Sequence, residues 1–325
     1  MNRCAASFPF VRRSWGIALL CVLSMLLPGF SFANAGASSI SGTLGAVGSD
    51  TMAGLVLRWG EALRRQHPDV AIQFQASGSA NAPSALISGT TRLGPMSRQM
   101  SQEERQAFIE RYGYPPLELK VARDALVVIV HRHNPLSGLK RQQVDAIFSS
   151  SRECGANAPI TRWEALDATA DWPFGAIALH GRNTASGTYD LFQQLALCNG
   201  EFRPTLSQHP GASAVVAAVG ESPGAMGYAG YHHLTPSVKA ISLVDADGQL
   251  IAPSEDAIQV GAYPFSRYLY LYVNAPPGKP LPSAESALLR LIFSAQGQQI
   301  ARAAGFVPLS ESVRQQQARW FSDSP

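Results

Sequence analysis

Residues 181–188 read Gly-Arg-Asn-Thr-Ala-Ser-Gly-Thr, and this stretch says most about how the chain folds and what it binds. It follows a predicted strand at residues 176–179 and opens an apolar-periodic run that predicts a helix. The N-terminus of a helix carries unsatisfied N–H groups and a partial positive charge, which attract anions. Arg182 adds a planar fork of donors that matches an oxyanion. The stretch therefore predicts a strand-to-helix junction that holds a small, oxygen-rich anion.

Two other predicted junctions have a similar composition. A strand at residues 43–47 leads into Ser49-Asp50-Thr51, and a strand at residues 70–76 ends in Ser77-Gly78-Ser79. A single Ser or Thr in such a place is usually an N-cap. In α/β sheets, however, ligands bind beyond the carboxyl ends of the strands, where junctions of this kind collect. Three of them in one chain favour one shared binding site.

The rest of the chain predicts an α/β fold. Residues 126–130 form an unbroken apolar run, typical of a strand that is buried on both faces. Ser101, followed three residues later by Glu104, predicts a capping box at the start of a helix. Because strands alternate with helical patterns throughout, we expect α/β architecture with mainly parallel sheets.

The first 35 residues have the layout of a secretory signal peptide. Three arginines precede an apolar stretch at residues 15–30, and the small residues Ala33-Asn34-Ala35 form a cleavage site. A transmembrane anchor is the alternative, disfavoured because the apolar stretch is short and ends in Pro-Gly. We expect an exported protein, cleaved after about Ala35; periplasmic retention and release from the cell are both open.

The composition limits the partners of the mature chain. The whole sequence has 26 Lys and Arg residues against 23 Asp and Glu residues, and three of the arginines lie in the leader. The mature protein is therefore close to neutral, which argues against nucleic acid or an anionic membrane as its main partner.

Cys154 and Cys198 are the two cysteines outside the leader. Two cysteines in an exported protein most often form a disulfide, which here would hold the irregular loop at residues 149–172. The alternative is a pair of buried free thiols.

Several function classes lack their sequence signatures. The chain has no P-loop, no dinucleotide-binding fingerprint and no Gly-x-Ser-x-Gly nucleophile motif. The pairs His131 with His133 and His232 with His233 have no carboxylate at metal-ligand spacing. We therefore expect no metal, no cofactor and no enzymatic activity.

Taken together, the motifs resemble the periplasmic phosphate-binding protein family of phosphate ABC transporters. The resemblance covers nearly the whole mature chain in order, and its most specific element is Arg-x-x-x-Ser-Gly-Thr at residues 182–188. The matching segments are Gly48 to Met52, Ser77 to Ser79, Gly94 to Arg98, Arg123-Asp124, Asn134 to Leu139, Gly181 to Thr188, Pro223 to Tyr228 and Gly305 to Leu309.

This resemblance implies a type II periplasmic binding fold. Two α/β lobes would close on one phosphate ion, one lobe at residues 40–123 plus 259–325 and the other at residues 124–258. The hinges would lie near residues 123–124 and 259–260. It also implies a monomer that delivers phosphate to the permease subunits of an ABC transporter in the inner membrane.

The resemblance also implies which residues contact phosphate. By position, these are Asp50, Thr51, Ser79, Ser97, Arg98, Arg182, Ser186, Gly187 and Thr188.

One position departs from the family pattern. Many members keep an aspartate after the serine of the Gly-x-x-Ser segment, where it accepts the proton that phosphate carries. Here that position is Arg98, and a carboxylate stands instead at Asp50, where those members have threonine. Our hypothesis is that Asp50 takes over as the proton acceptor and Arg98 adds donors. The alternative is that Asp50 only caps its helix and pairs with Arg98.

Other functions compete with phosphate transport. The ligand could be another oxyanion, such as sulfate, molybdate or arsenate, or the protein could be a phosphate receptor or extracellular scaffold that feeds no transporter. A secreted phosphatase would need Ser186 or Thr188 as its nucleophile. The segment carries no His or Lys to activate either hydroxyl, so this reading is disfavoured.

Overall fold

The computed structural model describes residues 40–166 and 171–322, so the predicted signal peptide at residues 1–35 lies outside the described residues. The strands are β1 Gly42–Val47, β2 Val70–Gln75, β3 Leu93–Met96, β4 Leu117–His131, β5 Gly138–Leu139, β6 Ala178–Arg182, β7 Ser207–His209, β8 Ala225–Gly230, β9 Val238–Ala240, β10 Ser242–Val244, β11 Leu250–Ile251 and β12 Ser266–Val273. The helices are α1 Ala53–Gln66, α2 Asn81–Ile87, α3 Gln102–Tyr112, α4 Arg141–Phe148, α5 Gly187–Ala196, α6 Ala212–Glu221, α7 Glu255–Val260, α8 Ser283–Phe293, α9 Ala295–Ala303 and α10 Glu311–Ser322. Among these described helices, none is both long enough and apolar enough to cross a membrane.

A mixed sheet runs in the order β2-β1-β3-β12-β4-β8-β6-β7, with β9 paired to β4. At one end, β1 pairs in parallel with β2 and β3; at the other, β6 pairs in parallel with β7 and β8. In the centre, β12 is antiparallel to both β3 and β4, and β4 is antiparallel to β8. The α/β fold class is confirmed, but the sheet is mixed rather than mainly parallel, with parallel pairs that flank an antiparallel centre.

The antiparallel centre arises because β4 passes through two hydrophobic cores. Its first half contributes Leu119 and Val121 to one core, and its second half contributes the apolar run 126–130 to the other. Strand β12 runs in the opposite direction, because Phe265 just before it lies in the second core and Leu269 lies in the first. Two strands that cross between the same cores in opposite directions must pair antiparallel.

The proposed hinge at residues 123–124 lies where β4 passes between these cores, but the proposed hinge at residues 259–260 does not, because Ile258 and Phe265 on either side of it belong to the same core. Residues 123–124 are inside β4, and residues 259–260 end α7. The lobe boundaries predicted from the resemblance stay predictions.

The parallel strands bring the predicted junctions together. Residues 48–51 follow β1, residues 77–79 follow β2 and residues 97–98 follow β3, so all three lie beyond the carboxyl ends of neighbouring strands. Arg182 ends β6, and Ser186 caps α5 by accepting a hydrogen bond from the Thr188 N–H. The capping box at the start of α3 is also present as predicted.

The predicted disulfide between Cys154 and Cys198 is confirmed. Their Cα atoms are 5.3 Å apart, and the bridge closes a loop with a sequence separation of 44 residues. It ties the long loop after α4 to the residues that follow α5.

Replacing both cysteines with serine should lower the free energy of unfolding by about 4 kcal/mol, because the unfolded chain regains the freedom of that loop. Urea denaturation of the oxidised wild type and of the double variant measures this difference. Dithiothreitol should shift the wild type toward the variant and leave the variant unchanged. Equal midpoints for all samples would contradict the prediction.

Candidate anion-binding site

Arg182 is the most deeply buried cation among the predicted site residues, at 1% exposure. Its Nη2 donates to the Pro210 carbonyl at 2.7 Å and lies 2.8 Å from Asp50 Oδ2. Its Nε donates to the His209 carbonyl at 3.4 Å. The Nη1 atom is buried and has no partner among the described residues. A buried guanidinium nitrogen in this state is a donor that a ligand could satisfy.

Asp50 presents the matching acceptor. Its Oδ2 atom contacts Arg182, while its Oδ1 atom is buried without a partner in the described part of the chain. The hydroxyl of the neighbouring Ser49 is also buried and unpartnered there. The site therefore holds one free carboxylate oxygen beside one free guanidinium nitrogen.

The alternative role for Asp50 is wrong in this structure. Asp50 pairs with Arg182 rather than Arg98, and it lies in the first turn of a short 3-10 helix whose N-cap is Ser49. Its Oδ1 atom has no hydrogen-bond partner among the described residues and its Oδ2 atom faces Arg182, so helix capping does not account for this carboxylate.

Hydroxyl groups from different junctions contact one another around this pair. Thr51 Oγ1 lies 3.3 Å from Thr188 Oγ1, and Ser79 Oγ lies 3.2 Å from Ser97 Oγ. Ser79 Oγ also accepts a hydrogen bond from the Ser97 N–H at 3.0 Å. All four side chains are buried. The structure thus brings residues from β1, β2, β3 and β6 junctions into one cluster.

Two glycines allow the backbones to come this close. A Cβ on Gly187 would lie 2.5 Å from Ser79 Oγ and 2.9 Å from Ser97 Oγ. Gly78 has a positive φ of 105°, and a Cβ there would collide with the Ala185 carbonyl. The Ala80 N–H donates to that same carbonyl at 3.3 Å. Side chains at residues 78 and 187 would therefore separate the two groups of junctions.

Arg98 does not join the cluster as predicted. Its Nε donates to Asp190 at 2.7 Å, and Nη1 and Nη2 donate to the two carboxylate oxygens of Glu104 at 2.7 and 2.8 Å. Burial lowers the pKa of the Arg98 guanidinium, but the hydrogen bonds and charges of Glu104 and Asp190 outweigh burial and raise the pKa above its ordinary value. Because these carboxylates bind all three of its nitrogens, the structure gives no support to Arg98 as a direct donor to the anion.

A second buried ion pair, formed by Arg267 and Asp124, contacts two residues of the cluster. Arg267 donates through Nε and Nη2 to Asp124 Oδ2, at 3.1 and 2.6 Å. Its Nη1 donates to Thr188 Oγ1 at 3.1 Å and to the Ser97 carbonyl at 3.2 Å. Burial raises the pKa of Asp124, but the positive charge of Arg267 and the hydrogen bonds from Arg267 and His232 outweigh burial and hold that pKa well below its usual range. Arg267 therefore fixes the position of two predicted contact residues.

Arg267 has no local motif that predicts its role. It lies in an aromatic-rich strand, and its partner Asp124 is 143 residues away in the chain. Asp124 belongs to a family motif at a proposed hinge and has no predicted partner. The one local signal for Arg267 is that it is a lone arginine in a strand that is otherwise largely buried and apolar.

Comparison with known proteins identifies the family of this chain. A family model for the PBP superfamily domain matches residues 33–295. The phosphate-binding protein PstS of Pseudomonas aeruginosa is 43% identical over 315 residues, covering 96% of this chain and 96% of that protein. The chain belongs to the PstS family. The PstS of Staphylococcus aureus (strain USA300) is 26% identical and covers 87% of this chain and 83% of that protein.

Solved structures show the same fold as this PstS family member. An ABC-type phosphate transport receptor from Vibrio cholerae has a TM-score of 0.63 at 21% identity, covering 81% of this chain and 99% of that one. This likeness confirms the predicted two-lobed fold class.

His233 makes the stability of this PstS family member depend on pH. Its ring packs against that of His232 with centroids 3.9 Å apart and planes tilted by 43°, and its Nε2 is buried without a partner among the described residues. Burial, followed by the charge of His232, lowers the pKa of His233 from 6.5 to about 3. Below pH 6.5, His233 therefore binds a proton in the unfolded chain but stays neutral in the folded protein.

Replacing His233 with glutamine should reduce the loss of unfolding free energy that occurs as the pH is lowered. In the wild type this histidine costs up to about 1.4 kcal/mol per pH unit as the pH falls below 6.5. Urea denaturation at pH 7, 6 and 5 measures the slope, with the exposed His133→Gln as the matched control. A His233→Gln slope equal to that of the control would contradict the assignment.

Proposed function

We propose that this chain binds inorganic phosphate at the cluster formed by Asp50, Thr51 and Ser79 together with residues 182–188. The observation that carries the proposal is the juxtaposition of two buried, unpartnered atoms, Arg182 Nη1 and Asp50 Oδ1. One is a donor and the other an acceptor. Hydrogen phosphate is an anion that both accepts hydrogen bonds and donates one, so it satisfies both atoms at once. Membership of the PstS family supports this choice of ligand.

The other contacts in the proposal come from hydroxyls and the helix N-terminus. Thr51, Ser79, Ser97, Ser186 and Thr188 offer buried hydroxyls, and Gly187 opens α5 where the helix dipole is positive. We leave Arg98 out of the contact set and assign it to the link between α3 and α5, through Glu104 and Asp190.

Asp50 would set the selectivity of the site. A carboxylate oxygen accepts the proton of hydrogen phosphate, but against sulfate it meets only lone pairs and negative charge. Leaving a buried polar group unmatched costs about 1–3 kcal/mol, and more for charged groups. The carboxylate thus rejects the fully deprotonated anion, which is how binding sites discriminate between ligands of similar shape.

Replacing Asp50 with asparagine should narrow the preference for phosphate over sulfate by at least about tenfold, or about 1.4 kcal/mol. Titration calorimetry of purified protein with each anion measures the ratio of the two dissociation constants. The control is Asp256→Asn, which changes an exposed carboxylate in the first turn of α7. If wild type and D50N discriminate equally, Asp50 has no part in selectivity. A wild type that prefers sulfate, molybdate or arsenate would redirect the proposal to that oxyanion.

Replacing Arg182 with alanine should weaken phosphate binding by about 2–5 kcal/mol, as expected when one partner of a buried charge pair is truncated. Arg182→Lys keeps the charge but loses the fork, so its loss should be smaller. Arg302, whose exposed side chain pairs with Glu255, provides the control variant Arg302→Ala. Calorimetry with phosphate gives the dissociation constants. An unchanged dissociation constant for R182A would show that phosphate does not bind at this cluster.

We propose no catalytic role for the hydroxyls. The side-chain partners of Thr188 Oγ1 among the described residues are Thr51 and Arg267, and Ser186 Oγ accepts from a backbone N–H. A nucleophilic hydroxyl needs an adjacent base, and neither a threonine nor a guanidinium accepts its proton at neutral pH. Incubation with a chromogenic phosphate ester tests this directly.

The cellular role in the proposal follows from the sequence and the family. The leader exports the chain to the periplasm, with release from the cell as the alternative, and the mature protein acts as a monomer. The lobes at residues 40–123 plus 259–325 and at residues 124–258 close on phosphate, and the closed form is recognised by the permease subunits of an ABC transporter. Growth of a deletion strain on limiting phosphate separates transport from a receptor or scaffold role.

A further inference from the structure

A pair of histidines lies outside the anion cluster and is used by no step proposed above. His180 is in β6 and His209 ends β7, and these strands pair in parallel with Arg182 opposite His209. His180 Nδ1 lies 3.0 Å from His209 Nε2, and the two rings are tilted by 34° with centroids 5.3 Å apart. Both side chains are half-buried, so the pair is within reach of solvent.

The spacing of the two nitrogens suits one shared metal ion. With metal–nitrogen bonds of about 2.0–2.1 Å, two nitrogens 3.0 Å apart subtend an angle of about 95° at the metal. That angle matches neighbouring positions of a square-planar or tetragonal complex, the geometry of Cu²⁺ and Ni²⁺. A tetrahedral Zn²⁺ site needs a wider angle, near 109°, and therefore a longer separation of the nitrogens.

The neutral form of histidine is the form that binds a metal, because a neutral imidazole has one nitrogen lone pair free. In this pair the facing nitrogens, His180 Nδ1 and His209 Nε2, are the atoms that would donate.

We propose that His180 and His209 form a bidentate binding site for a divalent transition metal with tetragonal coordination, Cu²⁺ most tightly and Ni²⁺ next. In the metal-free pair, one N–H lies between the facing nitrogens. On binding, that proton moves to the outer nitrogen of its own ring, so the neutral pair releases no proton. Among the described residues no group of three or more His, Cys, Asp and Glu side chains is placed to hold a metal, so water completes the coordination of this two-ligand site.

The metal site would be adjacent to the anion cluster without sharing a side chain with it. The His209 and Pro210 carbonyls hold the Arg182 guanidinium, and Arg182 lies two residues after His180 on β6. A metal that cross-links His180 and His209 would fix the end of β6 against β7, and binding to the folded form alone raises the melting temperature.

The histidine pairs that are close in sequence, His131 with His133 and His232 with His233, predict no metal site. His180 and His209 are 29 residues apart and meet only through the pairing of β6 with β7.

The test uses the untagged mature protein in phosphate-free buffer, titrated separately with Cu²⁺, Ni²⁺ and Zn²⁺. All variants carry His131→Ala and His133→Ala, which remove a second histidine pair that could compete. We expect one equivalent of bound Cu²⁺, an affinity order of Cu²⁺ over Ni²⁺ over Zn²⁺, and coupling to two nitrogens in the Cu²⁺ electron paramagnetic resonance spectrum. His180→Gln and His209→Gln should each weaken Cu²⁺ binding by more than about tenfold, since loss even of an outer-shell partner costs 10–100-fold.

Circular dichroism of the metal-free variants checks that they fold, and His67→Gln is the control for loss of a histidine elsewhere. The proposal is overturned if the H180Q or H209Q variant binds Cu²⁺ as tightly as its parent, or if the spectrum of the parent shows fewer than two coordinated nitrogens. Should one variant fail to fold, the spectrum of the parent and the other variant still decide. Because phosphate is absent, the outcome is independent of the phosphate proposal.

Discussion

The structure of the site depends on burying the guanidinium of Arg182 at the end of a strand. A charged group taken out of water is costly unless partners replace its hydration. Here two main-chain carbonyls, from His209 and Pro210, and one carboxylate, from Asp50, supply most of that replacement. The carbonyls come from the last residue of β7 and the residue after it, and the carboxylate comes from the segment after β1. One side chain thus makes two distant parts of the chain depend on each other, and its remaining nitrogen leaves room for a ligand.

The second buried cation at the centre, Arg267, is also paired with a carboxylate. Arg267 and Asp124 form their own buried pair, so the two cations and two carboxylates at the centre cancel before any anion arrives. An incoming dianion is then held by directed donors rather than by an excess of positive charge. Such donors are effective because they are already oriented, and the orientation here comes from the strand ends, from the Ser186 cap and from Arg267 acting on Thr188. This arrangement favours an anion whose own hydrogen-bonding pattern fits over one that is merely negative.

Much of this could be predicted from the sequence, because the junctions have a local signature. A strand end followed within a few residues by a helix start is indicated when an apolar run leads into Ser, Thr, Gly or Arg. This signature predicts the junctions after β1, β2 and β6. The direction of a long side chain has no such signature. Arg98 follows Ser97 in the chain, yet its guanidinium is turned aside by Glu104 and by Asp190, which is 92 residues away. Arg267 was missed for the same reason, since its partner is brought to it only by the pairing of β4 with β12.

The contact of Gly78 with the Ala185 carbonyl has a further consequence. The glycine belongs to a turn after β2, but the obstacle to a larger residue belongs to the segment before α5, on the opposite side of the anion cluster. A methyl group at residue 78 would collide with the Ala185 carbonyl and hold the two segments apart, although each segment could keep its own fold. The side chains tolerated at residue 78 are therefore limited by the Ala185 carbonyl, which belongs to a segment far from this turn in the sequence.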